Sequence, residues 1–160
     1  MILTIFLFAA SSALASDTLT GTWELIAGSC KGEITQPRDQ LKFETLKDGI
    51  QLTQTLLEGS KQVRKYEFHE TTWTKTLTTT RGEGANILDR TVKTKLIQGV
   101  PTLATVWSPK TAKGKDDFLS AGIGTYKAES NQLTLSVSSL GSDGQSTRQD
   151  QATCLYKKVD

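Results

Sequence analysis

From Leu19 onward, apolar and polar residues alternate at a spacing of two, and turn-forming residues break the alternation about every ten positions. Leu19, Gly21, Trp23, Leu25 and Ala27 fall on one face of a first strand, with Thr20, Thr22 and Glu24 on the other. Leu41, Phe43 and Thr45 alternate with Lys42 and Glu44 in a second strand. Lys47-Asp48-Gly49 then reads as a hairpin turn in which Asp-Gly supplies positive φ. A third strand is expected over 50–57, a fourth over 63–69 and a fifth over 71–80. The fifth sets Trp73 and Leu77 on one face against a ladder of threonines on the other. Leu88, Arg90, Val92, Thr94 and Leu96 mark a sixth strand, ended by Gly99 and Pro101, and residues 102–107 form a seventh. Leu119, Ala121, Ile123 and Thr125 share a face of an eighth. Leu133, Leu135 and Val137 alternate with Thr134, Ser136 and Ser138 in a ninth, and a last strand covers 147–158.

Nine or ten consecutive strands with short turns and no crossover helix predict an all-β antiparallel up-and-down meander. A meander of this length either splits into two packed sheets or rolls into a barrel, and closure removes the edges that invite aggregation. The expected fold class is therefore an all-β barrel of about eight to ten strands.

The start of the chain does not share this pattern. Met1 to Leu14 carries no charge, and Ala13-Leu14-Ala15 supplies the small residues that a signal peptidase requires. Residues 1–15 are therefore expected to be a cleaved export signal, with 16–160 as a single barrel domain in a secreted or periplasmic protein. No later stretch is long and apolar enough for a membrane helix. Cys30 and Cys154 are the two cysteines. In an exported chain such a pair is expected to form a disulfide, with two buried free thiols as the alternative. A bridge between the first and last strand regions suits a sheet that closes on itself.

Charge narrows the choice of partner. Nineteen basic and 17 acidic residues leave a net charge of +2, too little to draw nucleic acid, and the basic residues are interspersed with acidic ones. His69 is the one histidine, so a site needing two imidazoles is excluded, although Glu67 shares its strand face. Gly82-Glu83-Gly84 lacks the lysine and helix of a phosphate loop, and Asp116-Asp117 reads as a solvated pair rather than a metal site. The expectation is a binding module, not an enzyme, with no cofactor or metal.

Gly21-Thr22-Trp23, opening the first strand, resembles the Gly-X-Trp motif of lipocalins and related calycins. The resemblance implies a lipocalin-like barrel in which the tryptophan plugs the closed end, with a basic residue of the last strand, Arg148 or Lys157, lying across it. The family's Thr-Asp-Tyr motif is missing, Gly124-Thr125-Tyr126 being a distant echo, and no helical pattern follows the last strand. The function implied is binding of a small apolar or amphipathic ligand against interior residues Trp23, Phe43, Trp73, Leu77, Trp107 and Leu135. The alternative is a protein-interaction module, such as a lysozyme-type hydrolase inhibitor, presenting loops 81–86 and 108–117.

Overall fold

A computed structural model of the chain describes residues 18–32, 37–56, 62–81, 87–109, 120–142 and 147–159. The expected export segment, residues 1–15, lies outside them, as do nearly all of loops 81–86 and 108–117, Asp116 and Asp117 included. Among the described residues the alternating segments form ten strands. They are β1 (Gly21–Leu25), β2 (Gln40–Leu46), β3 (Gly49–Leu56), β4 (Gln62–His69), β5 (Thr74–Arg81), β6 (Ile87–Ile97), β7 (Val100–Pro109), β8 (Ser120–Glu129), β9 (Gln132–Ser142) and β10 (Thr147–Lys158).

Each pairing is antiparallel, and the order along the sheet is β4-β3-β2-β1-β10-β9-β8-β7-β6-β5. Strands adjacent in sequence are neighbours in the sheet except β4 and β5, and β1 pairs with β10. The meander therefore rolls into a nearly closed barrel whose seam falls between β4 and the β5–β6 hairpin. Side chains bridge that seam. Thr94 Oγ1 donates to the Glu67 carbonyl at 2.5 Å, and Arg90 Nη1 donates to the Tyr66 hydroxyl at 3.0 Å.

Alternation sends one face of each strand inward, and one end of the interior is filled. Trp23, Leu41, Phe43, Ile50, Leu52, Phe68, Leu133 and Tyr156 are all buried there, each side chain contributing about 1.5–3 kcal/mol by leaving water. Phe43 and Phe68 meet the Tyr126 ring edge-on, with centroids 5.5 and 6.5 Å away. Trp23 closes the floor, and its Nε1–H donates to the Leu19 carbonyl at 2.8 Å. Leu19 lies outside the strand, and β1 begins at Gly21 rather than at Leu19.

Cys30 and Cys154 form a disulfide across a sequence separation of 124 residues. The chain beyond β1 stays on β10 to reach it. Ile26 N donates to Leu155 O, and Lys31 and Thr153 exchange backbone bonds of 2.8 and 2.9 Å. Gly32 follows at φ +82°, where a Cβ would run into the Gln151 carbonyl oxygen, so this crossing requires glycine. Disulfides form and persist in oxidising compartments such as the periplasm or the extracellular space. No described helix is long and apolar enough to cross a membrane.

Two turns depart from expectation or sharpen it. Gly49 does not carry positive φ: Lys47 and Asp48 make the turn, Gly49 pairs with Leu46, and β3 begins there. Glycine is needed for another reason, since a Cβ would strike the Phe68 carbonyl oxygen of β4. Positive φ occurs instead in the hairpin turn Gln98-Gly99, at φ 51° and 76°, joining Ile97 to Val100, and at Ser130, φ 54°, between β8 and β9. β7 also runs on to Pro109, past the expected end at Trp107.

Candidate functional site

The strand registers give the barrel interior two unlike ends. Arg90, Trp107, Ser120 and Gly141 share one rung across β6 to β9, and Val92, Thr105, Gly122, Ser139 and Asp150 share the next. On the opposite wall, Trp23, Leu41, Gln54 and Arg64 lie in register across β1 to β4. Val92, Trp23 and Leu41 are core residues, so these rungs share the inner face. Beyond the aromatic floor, the inner wall thus carries arginines on β4 and β6 and glycine or serine on β8 and β9.

Three arginines converge at this polar end. Arg38 enters from the segment before β2, Arg64 from β4 and Arg90 from β6. Burial, foremost, pushes the Arg38 guanidinium below its ordinary value; the charges of Arg64 and Arg90 act in the same direction, and Tyr66 and Asp39 oppose them. Arginine starts so high that it stays charged at any physiological pH. Arg90 is held by rings, 5.6 Å from the Trp107 centroid and 6.0 Å from that of Tyr66, besides its bond to the Tyr66 hydroxyl.

Two polar atoms here are buried without a hydrogen-bond partner among the described residues: Arg38 Nη1 and the Tyr156 hydroxyl. Burial, chiefly, drives the Tyr156 hydroxyl above its ordinary value; Asp39 adds to this and Arg38 opposes it, so the phenol keeps its proton. Both atoms are therefore unpaired donors. Buried donors of this kind are rare, each costing about 1–3 kcal/mol when left unsatisfied. The neighbouring Tyr126 hydroxyl is occupied, accepting from Gln54 Nε2 at 2.7 Å.

The residues expected inside the barrel are distributed unevenly. Trp23, Phe43 and Leu135 are buried in the floor and lower wall, and Trp107 is half-buried at the polar end beside Arg90. Trp73 is 46% exposed. It precedes β5 and meets Lys95 Nζ at 5.9 Å on the outer face, so its expected inward placement is corrected. The reason is that Thr74, not Trp73, is in step with buried Thr94. Leu77 pairs with Thr91, and its side chain lies outside the described residues.

The cation over the floor tryptophan is Lys158 and not Lys157. Lys158 Nζ sits 5.5 Å from the Trp23 centroid, because the register places Lys158 opposite Trp23 and turns Lys157 outward. The Arg148 side chain lies outside the described residues. His69 does meet Glu67, with Nε2 3.6 Å from its carboxylate and Nδ1 3.5 Å from that of Asp48.

On the outside of the wall, Ala104, Val106, Ala121, Ile123 and Leu140 line an open groove of about 410 Å³ across β7 to β9. Ile123 and Val106 are exposed in it.

Comparison with known protein families, characterised proteins and solved structures gives no match to this chain. The arginine cluster was not among the residues expected to act. Its signal was present in the alternation: Arg64 is in step with Tyr66 and Phe68, and Arg90 with Val92, Thr94 and Leu96.

Proposed function

We propose that this protein is an exported, lipocalin-like carrier that binds a small amphipathic molecule inside its barrel and performs no chemistry on it. One observation carries the reading. Barrel diameter grows with strand number, and about eight strands already make an interior just wide enough for side chains to fill. A ten-stranded barrel encloses more room, yet at the polar end the inner wall of β8 and β9 is built from Ser120, Gly122, Ser139 and Gly141. A Cβ added at Gly141 would meet nothing within 4 Å. Such a wall favours a guest over a packed core. The floor of Trp23, Phe43 and Phe68 is the apolar end for the guest's tail, and half-buried Trp107 stands at the opposite end.

The Cys30–Cys154 disulfide supports a secreted or periplasmic setting. The lipocalin resemblance rests on Gly21-Thr22-Trp23 at the floor, with a lysine of the last strand across the ring.

The test is displacement of an uncharged naphthylamine dye from the purified protein. Binding is expected to raise dye emission, and competition by medium-chain amphiphiles to reverse it. Trp107→Phe should remove energy transfer from that ring to the dye while leaving the barrel folded. A dye that never partitions into the folded protein, or that no amphiphile displaces, rules the carrier out.

A further inference from the structure

We infer that Arg38, Arg64 and Arg90 form a head-group subsite for an acidic amphiphile, one bearing a carboxylate or phosphate, with the Tyr156 hydroxyl as an added donor. This deepens the carrier reading and rests on it. Three guanidinium groups draw together from β4, β6 and the segment before β2, and Asp39 is the carboxylate that acts on Arg38. Folding has therefore gathered like charge; Asp39 opposes its effect at Arg38, but burial, Arg64 and Arg90 outweigh that opposition. It has also left Arg38 Nη1 and the Tyr156 hydroxyl buried as donors without acceptors.

One anionic oxygen pair answers both deficits. It offers acceptors to the idle donors and a counter-charge to the cluster, and arginine's planar fork matches carboxylate and phosphate geometry. Arg90 is poised for this. Trp107 and Tyr66 fix its guanidinium from the ring faces, and its bond to Tyr66 leaves further N–H donors free to turn to a ligand. A neutral oxygen head could accept from the idle donors but would bring no counter-charge, and a cationic head would supply neither. The apolar floor beneath the cluster receives the alkyl tail, which sets an acidic amphiphile apart from a free anion.

The experiment is calorimetric titration of the full chain with dodecanoate, dodecanol, acetate and inorganic phosphate, repeated on Arg38→Gln and Arg64→Gln. Dodecanoate is expected to bind at least tenfold more tightly than dodecanol. Arg38→Gln should erase that difference while leaving dodecanol unchanged. Dodecanol binding as well as dodecanoate would overturn the subsite and leave the carrier reading intact. Phosphate or acetate binding as tightly as dodecanoate, and lost in Arg38→Gln, would keep the anion subsite and overturn the amphiphile. Binding of none of the four would remove both. Thermal unfolding separates this from a structural role, since relieving the repulsion should leave the melting temperature of Arg38→Gln unchanged or higher. A fall in melting temperature with the dodecanoate preference intact would assign Arg38 to structure and overturn its place in the subsite.

Discussion

A fully buried tryptophan at the floor of a barrel does two jobs, filling space and satisfying a carbonyl. Trp23 is 0% exposed and bonds to Leu19 O. Replacing it with alanine is expected to cost about 3–5 kcal/mol, because the wall cannot collapse into so large a void. Trp23→Phe keeps most of the volume but strands the Leu19 carbonyl, and should cost less. Lys158 lies over the same ring from the solvent side, so Lys158→Met should cost under about 1 kcal/mol. Urea titration of the three variants checks this order, and a Lys158→Met loss matching that of Trp23→Ala would contradict it. The tryptophan was legible in the sequence, since Gly21-Thr22-Trp23 announces it. Its cation, expected at Arg148 or Lys157, is Lys158, because strand register, which composition does not reveal, decides which of the neighbouring lysines of β10 meets the ring. The arginine cluster was harder to see, because its three members lie on segments far apart in sequence and meet only when the sheet rolls up.

Glycines within the strands divide by what surrounds them, not by their sequence neighbours. Gly49 begins β3 where a Cβ would press on the Phe68 carbonyl of β4, and a backbone atom in a ladder gives way at high cost. Gly49→Ala is expected to destabilise by about 1–3 kcal/mol. Gly141 in β9 has nothing within 4 Å of its missing Cβ, so Gly141→Ala should be neutral or stabilise by up to about 1 kcal/mol through the unfolded chain. Matched chemical denaturation of the two variants tests the contrast, and equal losses would mean that the space at Gly141 is filled. The strands themselves were readable almost throughout, since alternation over the second, eighth and ninth segments matches β2, β8 and β9 closely. What alternation leaves open is which face turns inward when neither is strongly apolar. At β5, Thr74 falls in register with the buried Thr94 of β6, and Trp73 goes outside. Loop chemistry was similarly underdetermined: Asp48-Gly49 carries a strong turn signal, yet its glycine is there to admit a neighbouring carbonyl.

At the scale of the molecule, the barrel is fastened unequally around its circumference. On one side β1, β10 and the disulfide form a continuous ladder, with Ser29 adding a side-chain bond to the Leu155 carbonyl at 3.0 Å. Replacing both cysteines by serine should cost about 2–5 kcal/mol by freeing the unfolded chain, while circular dichroism keeps its β signature. Loss of all β structure in the reduced protein would instead make the bridge a condition of folding. On the other side lies the β4–β5 seam, spanned by the Thr94–Glu67 and Arg90–Tyr66 side-chain bonds, where β4 meets β6 more closely than β5. Edge strands held by a few side chains open at lower free energy than strands laddered on both sides. Amides of β4 and β5 should therefore exchange with deuterium first, and those of β9, β10 and β1 last, in the oxidised protein. Thr94→Val removes one of the seam's bonds without changing side-chain volume much, so it should speed exchange in β4 and β5 while β9 keeps its rate. Because Arg90 belongs both to the seam and to the head-group subsite, an acidic ligand seated there adds a contact beside the weak edge. Saturation with such a ligand is expected to slow β4 and β5 exchange more than that of β9. Uniform slowing around the whole barrel would mean that the seam and the subsite are independent.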